Sequence, residues 1–227
     1  MICAIMQPSY LPWAGYFNLI DQADVFVFLD DAQLQKNSWH NRNRILMNHA
    51  PHWITVPVSR TSLSQTILES MIDVQQNWKQ KQVKLLRQTY SKHPFFEEIL
   101  EFCAIFEENN AKNLAELNIH LARWIMAKLD IKTRILLSSE LDISGKRTDR
   151  VISILEKLEA DVYLSPKGAA EYLDTDDFLN KTSIRLCLQS FEPKPYNHHR
   201  HSEFVSHLSI IDVVANIGWG SSKTYIT

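Results

Sequence analysis

The sequence predicts an α/β domain built on a parallel sheet, with an all-helical insertion between its two halves. Three observations predict it. Short apolar runs bounded by turn residues alternate with amphipathic stretches, the pattern of buried strands and crossover helices. The first thirty residues read strand, loop, helix, strand, which is a β-α-β unit whose strands lie parallel. The stretch from Asn77 to Leu129 carries helical spacing throughout and contains no strand-like run. The expected organisation is residues 1–75 as the first part of the α/β domain, 76–130 as the helical insertion and 131–227 as the remainder.

Each element follows from its residues. Ile2 to Met6 is apolar and ends at Gln7-Pro8, a short buried strand. Pro8 and Pro12 bracket a loop, because proline lacks an N–H and disfavours helix before it. Trp13, Phe17 and Ile20, with Tyr16 and Leu19 beside them, mark a helix over Trp13–Gln22. Val25 to Leu29, with Asp24 and Asp30 at its ends, is a second buried strand. Trp53 to Val58 reads as a third. Within the insertion, breaks near His93-Pro94 and Asn109-Asn110 divide three helices. Arg134–Ser138, Asp161–Leu164 and Ile184–Leu188 read as strands. Asp149–Glu159 reads as a helix capped by Thr148 or Ser144, Lys167–Tyr172 begins another, and Leu208–Ile217 is a helix capped by Ser206 or His207.

Composition excludes several classes. The chain has 227 residues, 45% of them hydrophobic, and a formal net charge of -2. That is enough to bury a core, and too little charge for a disordered chain or a bulk nucleic-acid binder. No apolar run reaches the ~18 residues of a membrane span, and the N-terminus lacks the basic start of a signal peptide. Three scattered cysteines, Cys3, Cys103 and Cys187, read as reduced thiols of a cytoplasmic protein. Only five glycines are present, and their spacing excludes the dinucleotide and P-loop fingerprints. No G-x-S-x-G elbow occurs either. The expectation is therefore no bound cofactor.

Ligands of open parallel sheets bind beyond the carboxyl ends of the strands. That rule points to Gln7–Pro12, Asp30–Gln35, Ser138–Lys146 and Leu164–Gly168. In the first segment, Gln7 and Tyr10 can supply directed hydrogen bonds beside a helix N-terminus suited to anions. Trp13, Tyr16 and Phe17 read as its core face. In the second, Asp30 and Asp31 are carboxylates placed to act as a base. Gln33, Lys36 and Trp39 follow, and then Asn41, Arg42, Asn43 and Arg44 alternate amides with guanidiniums. This suits a strand with the amides on one face and the cations on the other. Ser144 to Arg150 reads equally as a phosphate-holding turn or as a turn and cap. Ser165 and Tyr172 sit at a fourth strand-to-helix turn, where Ser165 is a binding group or a cap. Tyr196 precedes His198-His199-Arg200-His201, a run whose spacing does not form a tetrahedral set, so no metal is expected. Ser209 and Asp212, three apart, can cap a helix or face one site together.

The segments MQPSYLPWAGYFNLIDQADVFVFLDDAQLQKNSWHNRNRI, YLSPKGAAEYLD and FVSHLSIIDVVANIG resemble the WbqC-like protein family over nearly the whole chain. The resemblance implies a transferase of bacterial surface polysaccharide (O-antigen) synthesis that places an aminoacyl group, glycyl in particular, on an amino sugar; the expectation is an acyl or aminoacyl transferase whose amino sugar is attached to a nucleotide or lipid carrier. Matched positions are Gln7, Pro8, Tyr10, Gly15, Tyr16, Asp30, Gln33 and Trp39, then Asn41, Arg42, Asn43, Ser165, Tyr172, Tyr196, Ser209 and Asp212. Pro166 stands where relatives carry glycine, and His198 where they carry glutamine. The implied partners are the amino sugar and an acyl donor, and a homodimer is compatible with the chain.

The sheet also resembles the nucleotidylyltransferase-like branch of Rossmann-like folds. There the H-x-G-H that stabilises phosphate charge is matched by Trp13-Ala14-Gly15-Tyr16, without either histidine. On these expectations Asp30 or Asp31 is the base, and Gln7, Asn41 and Asn43 steady the oxyanion or sugar hydroxyls. Arg42, with Lys36 or Arg44, holds diphosphate. The alternatives are an ATP-dependent carboxylate-activating enzyme and a non-catalytic nucleotide-sugar binder.

Overall fold

A computed structural model describes residues 1–199, 201 and 203–227. The β-α-β unit is β1 (Ile2–Met6), α1 (Ala14–Asp21) and β2 (Val25–Phe28), with the strands parallel from Cys3 opposite Val25 to Met6 opposite Phe28. Side chains alternate across a strand, and here both faces are apolar. Ala4, Phe26 and Phe28 join one hydrophobic cluster, while Cys3, Ile5, Val25 and Val27 join another on the opposite face. That two-sided burial is why the strands read as continuous apolar runs.

β3 (Arg42–Met47) and β4 (Ala50–Thr55) form an antiparallel hairpin apart from the main sheet. Asn48 and His49 make its two-residue turn, both with left-handed φ (50° and 64°), the backbone that matches the twist of paired strands. The third strand, expected at Trp53–Val58, falls at Ala50–Thr55 and pairs with β3. Only Ile54 of β4 is buried, so its pattern suits a ribbon at the surface rather than a two-sided core strand.

α2 (Trp78–Tyr90), α3 (Phe96–Glu108) and α4 (Leu114–Lys128) are the three expected helices. They do not build a separate core. Phe102, Phe106 and Leu121 share one apolar cluster with Phe17 and Phe26 of the β-α-β unit. The chain then returns through β5 (Arg134–Leu137), α5 (Arg147–Lys157), β6 (Val162–Ser165), α6 (Ala170–Thr175), α7 (Phe178–Lys181), β7 (Arg185–Leu188) and α8 (Ile210–Ile226). Val151, Ile154 and Leu155 of α5 cover the second sheet face. The helix starts two residues before the expected Asp149, which makes Lys146 its N-cap residue; lysine has no side-chain acceptor for a cap, and Thr148, inside the helix, donates to Asp176 at 2.8 Å.

α8 is capped by Ser209, not Ser206 or His207: the Ser209 hydroxyl accepts from the Ile211 N–H. It also runs on past Ile217 through a kink at Gly218, whose φ of 75° puts it outside helical geometry. A Cβ there would lie 2.6 Å from the Phe95 ring.

The five-stranded parallel sheet has the order β5-β2-β1-β6-β7, with helices on both faces. This is a Rossmann-like α/β architecture. The chain leaves β1 toward β2 and β5, then crosses to β6 and β7 on the other side. No helix among the described residues is long and apolar enough to cross a membrane.

Candidate functional site

The order of strands reverses between β1 and β6, so the loops that follow these strands diverge and leave a crevice at their carboxyl ends. A cavity of about 530 Å³ lies there, walled by Gln7, Trp13, Tyr163, Lys167, Tyr172, Gln189, Glu192 and His207. A second cavity, about 330 Å³, adjoins it and is lined by Ser9, Gln35, Ser38, His40 and Asn43. Gln7, Trp13, Trp39 and His207 belong to both walls.

The loop after β1 is held from several sides. Tyr16 donates its hydroxyl to the Gln7 carbonyl at 2.9 Å. The Asn43 amide donates to the carbonyls of Tyr10 and Leu11 at 3.1 and 2.7 Å. The Tyr10 N–H donates to the Trp39 carbonyl at 2.9 Å, and Trp13 bridges to Ser209 at the start of α8. On this fixed frame the Gln7 side-chain amide makes no hydrogen bond among the described residues.

The other walls present a mixed set of groups. Lys167 and Glu192 pair across the mouth, and that ammonium holds the Glu192 carboxyl below the usual range. The Gln189 amide nitrogen donates to the Gly15 carbonyl (2.7 Å) and to Asn18 Oδ1 (2.6 Å). Burial raises the Tyr172 phenol, partly offset by its contact with Tyr163. His40 is pushed down to about 4 by burial, and its Nδ1 accepts from the Gln35 N–H at 3.5 Å, so at neutral pH it is an uncharged ring with the proton on Nε2. His207 is exposed, with left-handed φ (58°), its ring 4.5 Å from Trp13 and its Nδ1 2.9 Å from the Ser206 hydroxyl.

Beside the cleft, Trp39 and Trp53 lie with ring centroids 5.2 Å apart. Arg42 stacks 4.1 Å over Trp53, and Arg44 sits 5.4 Å from Trp39 and 5.7 Å from Trp53. The amides and cations of this strand do segregate. Asn43 is buried, Arg42 and Arg44 share the outer face, and Asn41 donates to the Val56 carbonyl at 3.0 Å.

Several residues expected at the site lie elsewhere, and the convergence of Gln7, Asp30 and Arg42 on one cradle is not what the structure shows. Asp30 is at the same sheet edge, but its carboxylate turns toward β5. It is 1% exposed and accepts from the Ser139 N–H (3.0 Å) and hydroxyl (2.6 Å), with the Ser138 hydroxyl at 3.1 Å. Asp31 shares that Ser138 hydroxyl and pairs with Arg150. Both carboxylates lie outside the cleft walls. Arg147 is likewise bound to Asp176 and Arg150 to Asp31, which leaves the Ser144–Arg150 turn without a cradle of free cations.

The Tyr10 phenol points into the core and donates to Gln82 at 2.6 Å. The Gln33 amide donates to the Leu63 carbonyl at 2.6 Å, and Lys36 is exposed. Ser165 is fully buried, its hydroxyl 3.4 Å from the Pro166 carbonyl.

Tyr196, Ser209 and Asp212 belong to a buried brace. Asp212 accepts from the Leu46 N–H (3.0 Å), Tyr90 (3.0 Å) and Tyr196 (3.2 Å), and His198 Nδ1 lies 3.4 Å away. The cysteines are free, and burial pushes Cys3 up to about 12 and Cys103 up to about 11. His49, His93, His199 and His201 line a separate cavity of about 420 Å³. Among the described residues no three His, Cys, Asp or Glu side chains are placed to hold a metal ion, and Arg200 of that run lies outside the described residues.

Sequence reasoning missed Trp13, His40, Gln189, Glu192 and His207 as wall residues. Gln189 and Glu192 follow β7, and nothing local marks them. Only the strand order carries them to β1.

Fold and cleft together define a Rossmann-like α/β protein with a two-chambered site at its strand-order reversal. The chain belongs to the WbqC-like protein family, whose profile matches residues 7–224. It is similar to the uncharacterized protein Rv1507c of Mycobacterium tuberculosis (strain ATCC 25618 / H37Rv), 34% identical over 219 residues, covering 95% of this chain and 93% of the relative. No solved structure matches.

Proposed function

We propose that the protein transfers an acyl or aminoacyl group, glycyl in the first instance, to the amine of a sugar in surface polysaccharide synthesis. The class is the one that resemblance to the WbqC-like family implies. The observation that carries the reading is the pair of cavities meeting at Gln7 and His207. Adjoining chambers with a shared wall hold two substrates side by side, the arrangement a transfer between them uses.

The larger chamber takes the amino sugar, with the free Gln7 amide and Lys167 as directing groups. The smaller takes the acyl group. The sugar nitrogen attacks the acyl carbonyl carbon, forming a C–N bond as the donor's C–O or C–S bond breaks. His207, on the shared wall, accepts the proton that the nitrogen loses and returns it to the departing oxygen or sulfur. In the smaller chamber the Gln7 amide N–H and His40 are the lining donors that can face the developing oxyanion.

The test is a transfer assay with nucleotide-linked amino sugars and glycyl thioester or glycyl-tRNA, read by the mass of the sugar product. Product is expected, with kcat falling roughly 100-fold or more in His207→Ala. A protein that binds the sugar nucleotide but forms no product with any donor overturns the transferase and leaves a binding protein.

A further inference from the structure

We propose that the outer face of the hairpin is a nucleoside-diphosphate site. The base stacks on the Trp39–Trp53 pair, Arg42 and Arg44 hold the diphosphate, and the pendant sugar is directed into the cleft. The last clause rests on the cleft being the sugar chamber; the stacking site itself does not.

The hairpin register places Arg44 directly opposite Trp53, and Arg42 two residues earlier on the same face. Trp39 reaches the group from the preceding loop. Trp39 and Trp53 remain 46% and 41% exposed although adjacent. A pair of indoles left in water is an unburied apolar surface of the kind that marks a ligand. Their backbone is fixed: the Tyr10 N–H binds the Trp39 carbonyl, and Asn118 binds the His40 carbonyl at 2.7 Å. Arg42 covers one face of Trp53, so a base stacks on the exposed remainder of the pair, of which Trp39 is the more exposed ring.

The charge on this face is held by the indoles and not by a carboxylate. Neither Arg42 nor Arg44 makes an ion pair among the described residues, and the Nε of each is buried without a hydrogen-bond partner. Two like charges two residues apart on one strand face repel. A doubly charged anion removes that repulsion and matches the planar donors of guanidinium. An aromatic base joined to two phosphates satisfies both halves of this surface at once. A polyanionic strand is disfavoured by the net charge of -2, which gives no extended field.

Trp39 connects the hairpin to the chemistry, since it is also a wall of both cavities. A base on the platform therefore places whatever hangs from the second phosphate at the cleft mouth.

The experiment is calorimetry and tryptophan fluorescence on the full chain with uridine, thymidine, guanosine and adenosine diphosphates, against pyrophosphate and the bare nucleosides. At least one diphosphate is expected to quench fluorescence and to bind about 10-fold or more tightly than either part alone. Trp53→Ala, which removes no cavity wall, should weaken it about 10-fold, and Arg42→Gln should weaken it while flattening its salt dependence. Binding of no nucleoside diphosphate, affinity equal to that of pyrophosphate, or unchanged affinity in a folded Trp53→Ala overturns the proposal. Nucleotide binding without acyl transfer removes the transferase and leaves this site standing. Transfer at an unchanged KM in Trp53→Ala removes this site and leaves the transferase standing.

Discussion

Two polar clusters sit at the same edge of the sheet, one on each side of β1. On the β2–β5 side, Asp30, Asp31, Ser138, Ser139 and Arg150 are bonded to one another. On the β1–β6 side, Gln7, Lys167, Gln189 and His207 surround open space, and the Gln7 amide has no partner among the described residues. By residue type the first cluster looks the more catalytic, with two carboxylates and two hydroxyls. The hydrogen-bonding capacity of its carboxylates is already used within the protein. A site is marked by capacity left over beside open space, and in the second cluster the Gln7 amide has it.

The comparison breaks most clearly at Asp30. Asp30→Ala removes the acceptor of the Ser139 N–H and of the Ser139 hydroxyl, while the Ser138 hydroxyl keeps Asp31, and should cost about 2–3 kcal/mol of stability in urea denaturation. Ligand binding by the folded fraction should be retained. A stable Asp30→Ala protein that has lost turnover would return the base to this side of β1.

His40 tests the smaller chamber through pH. Its folded-state value of about 4 lies below the ~6.5 of an exposed imidazole, so between these values the unfolded chain holds a proton that the folded one refuses. Stability therefore falls as pH drops from about 6.5 to 4, by roughly 3 kcal/mol at the lower end. Denaturation of wild type and His40→Gln at pH 7 and pH 4.5 checks this. The variant should show a shallower slope, and equal slopes would mean the ring is not shielded from water in that chamber.

Much of the fold was legible, and for one reason. β1 and β2 are buried on both faces, so their apolar runs are unbroken, and the three insertion helices carry full helical spacing. The hairpin was misplaced because Trp53 to Val58 looks apolar in isolation. Nothing local says that Trp53 faces outward beneath an arginine. Gln7 was legible because packing alone explains a polar amide at a strand end poorly. Asp30 was misleading because sequence shows a carboxylate but not whether its lone pairs are taken. His207 and Glu192 were invisible as wall residues because the late loop joins β1 only through the order of the sheet.

Gly15 probes how the wall itself is built. A Cβ at this position would lie 2.3 Å from two carbons of the Trp13 ring. Gly15→Ala must therefore displace the indole, which is a wall of both chambers. The expected cost is about 1–3 kcal/mol in stability, with a clear loss of ligand affinity. Affinity unchanged despite the displaced ring would show that Trp13 is packing only.

The smallest stability effect belongs to Gln7, and it carries the comparison furthest. Its side chain gives the folded protein no hydrogen bond among the described residues, so Gln7→Leu should change unfolding free energy by no more than about 0.5 kcal/mol. Its amide is nevertheless a polar group shared by both chambers, and losing it should weaken ligand binding there about 10-fold, or about 1.4 kcal/mol. Asp30→Ala should show the opposite pattern, large in stability and small in binding. Measured together by denaturation and calorimetry, the two variants separate polar groups that hold the sheet edge together from those that wait for a ligand. A Gln7→Leu protein that loses stability and keeps its affinity would reverse the assignment of the two sides.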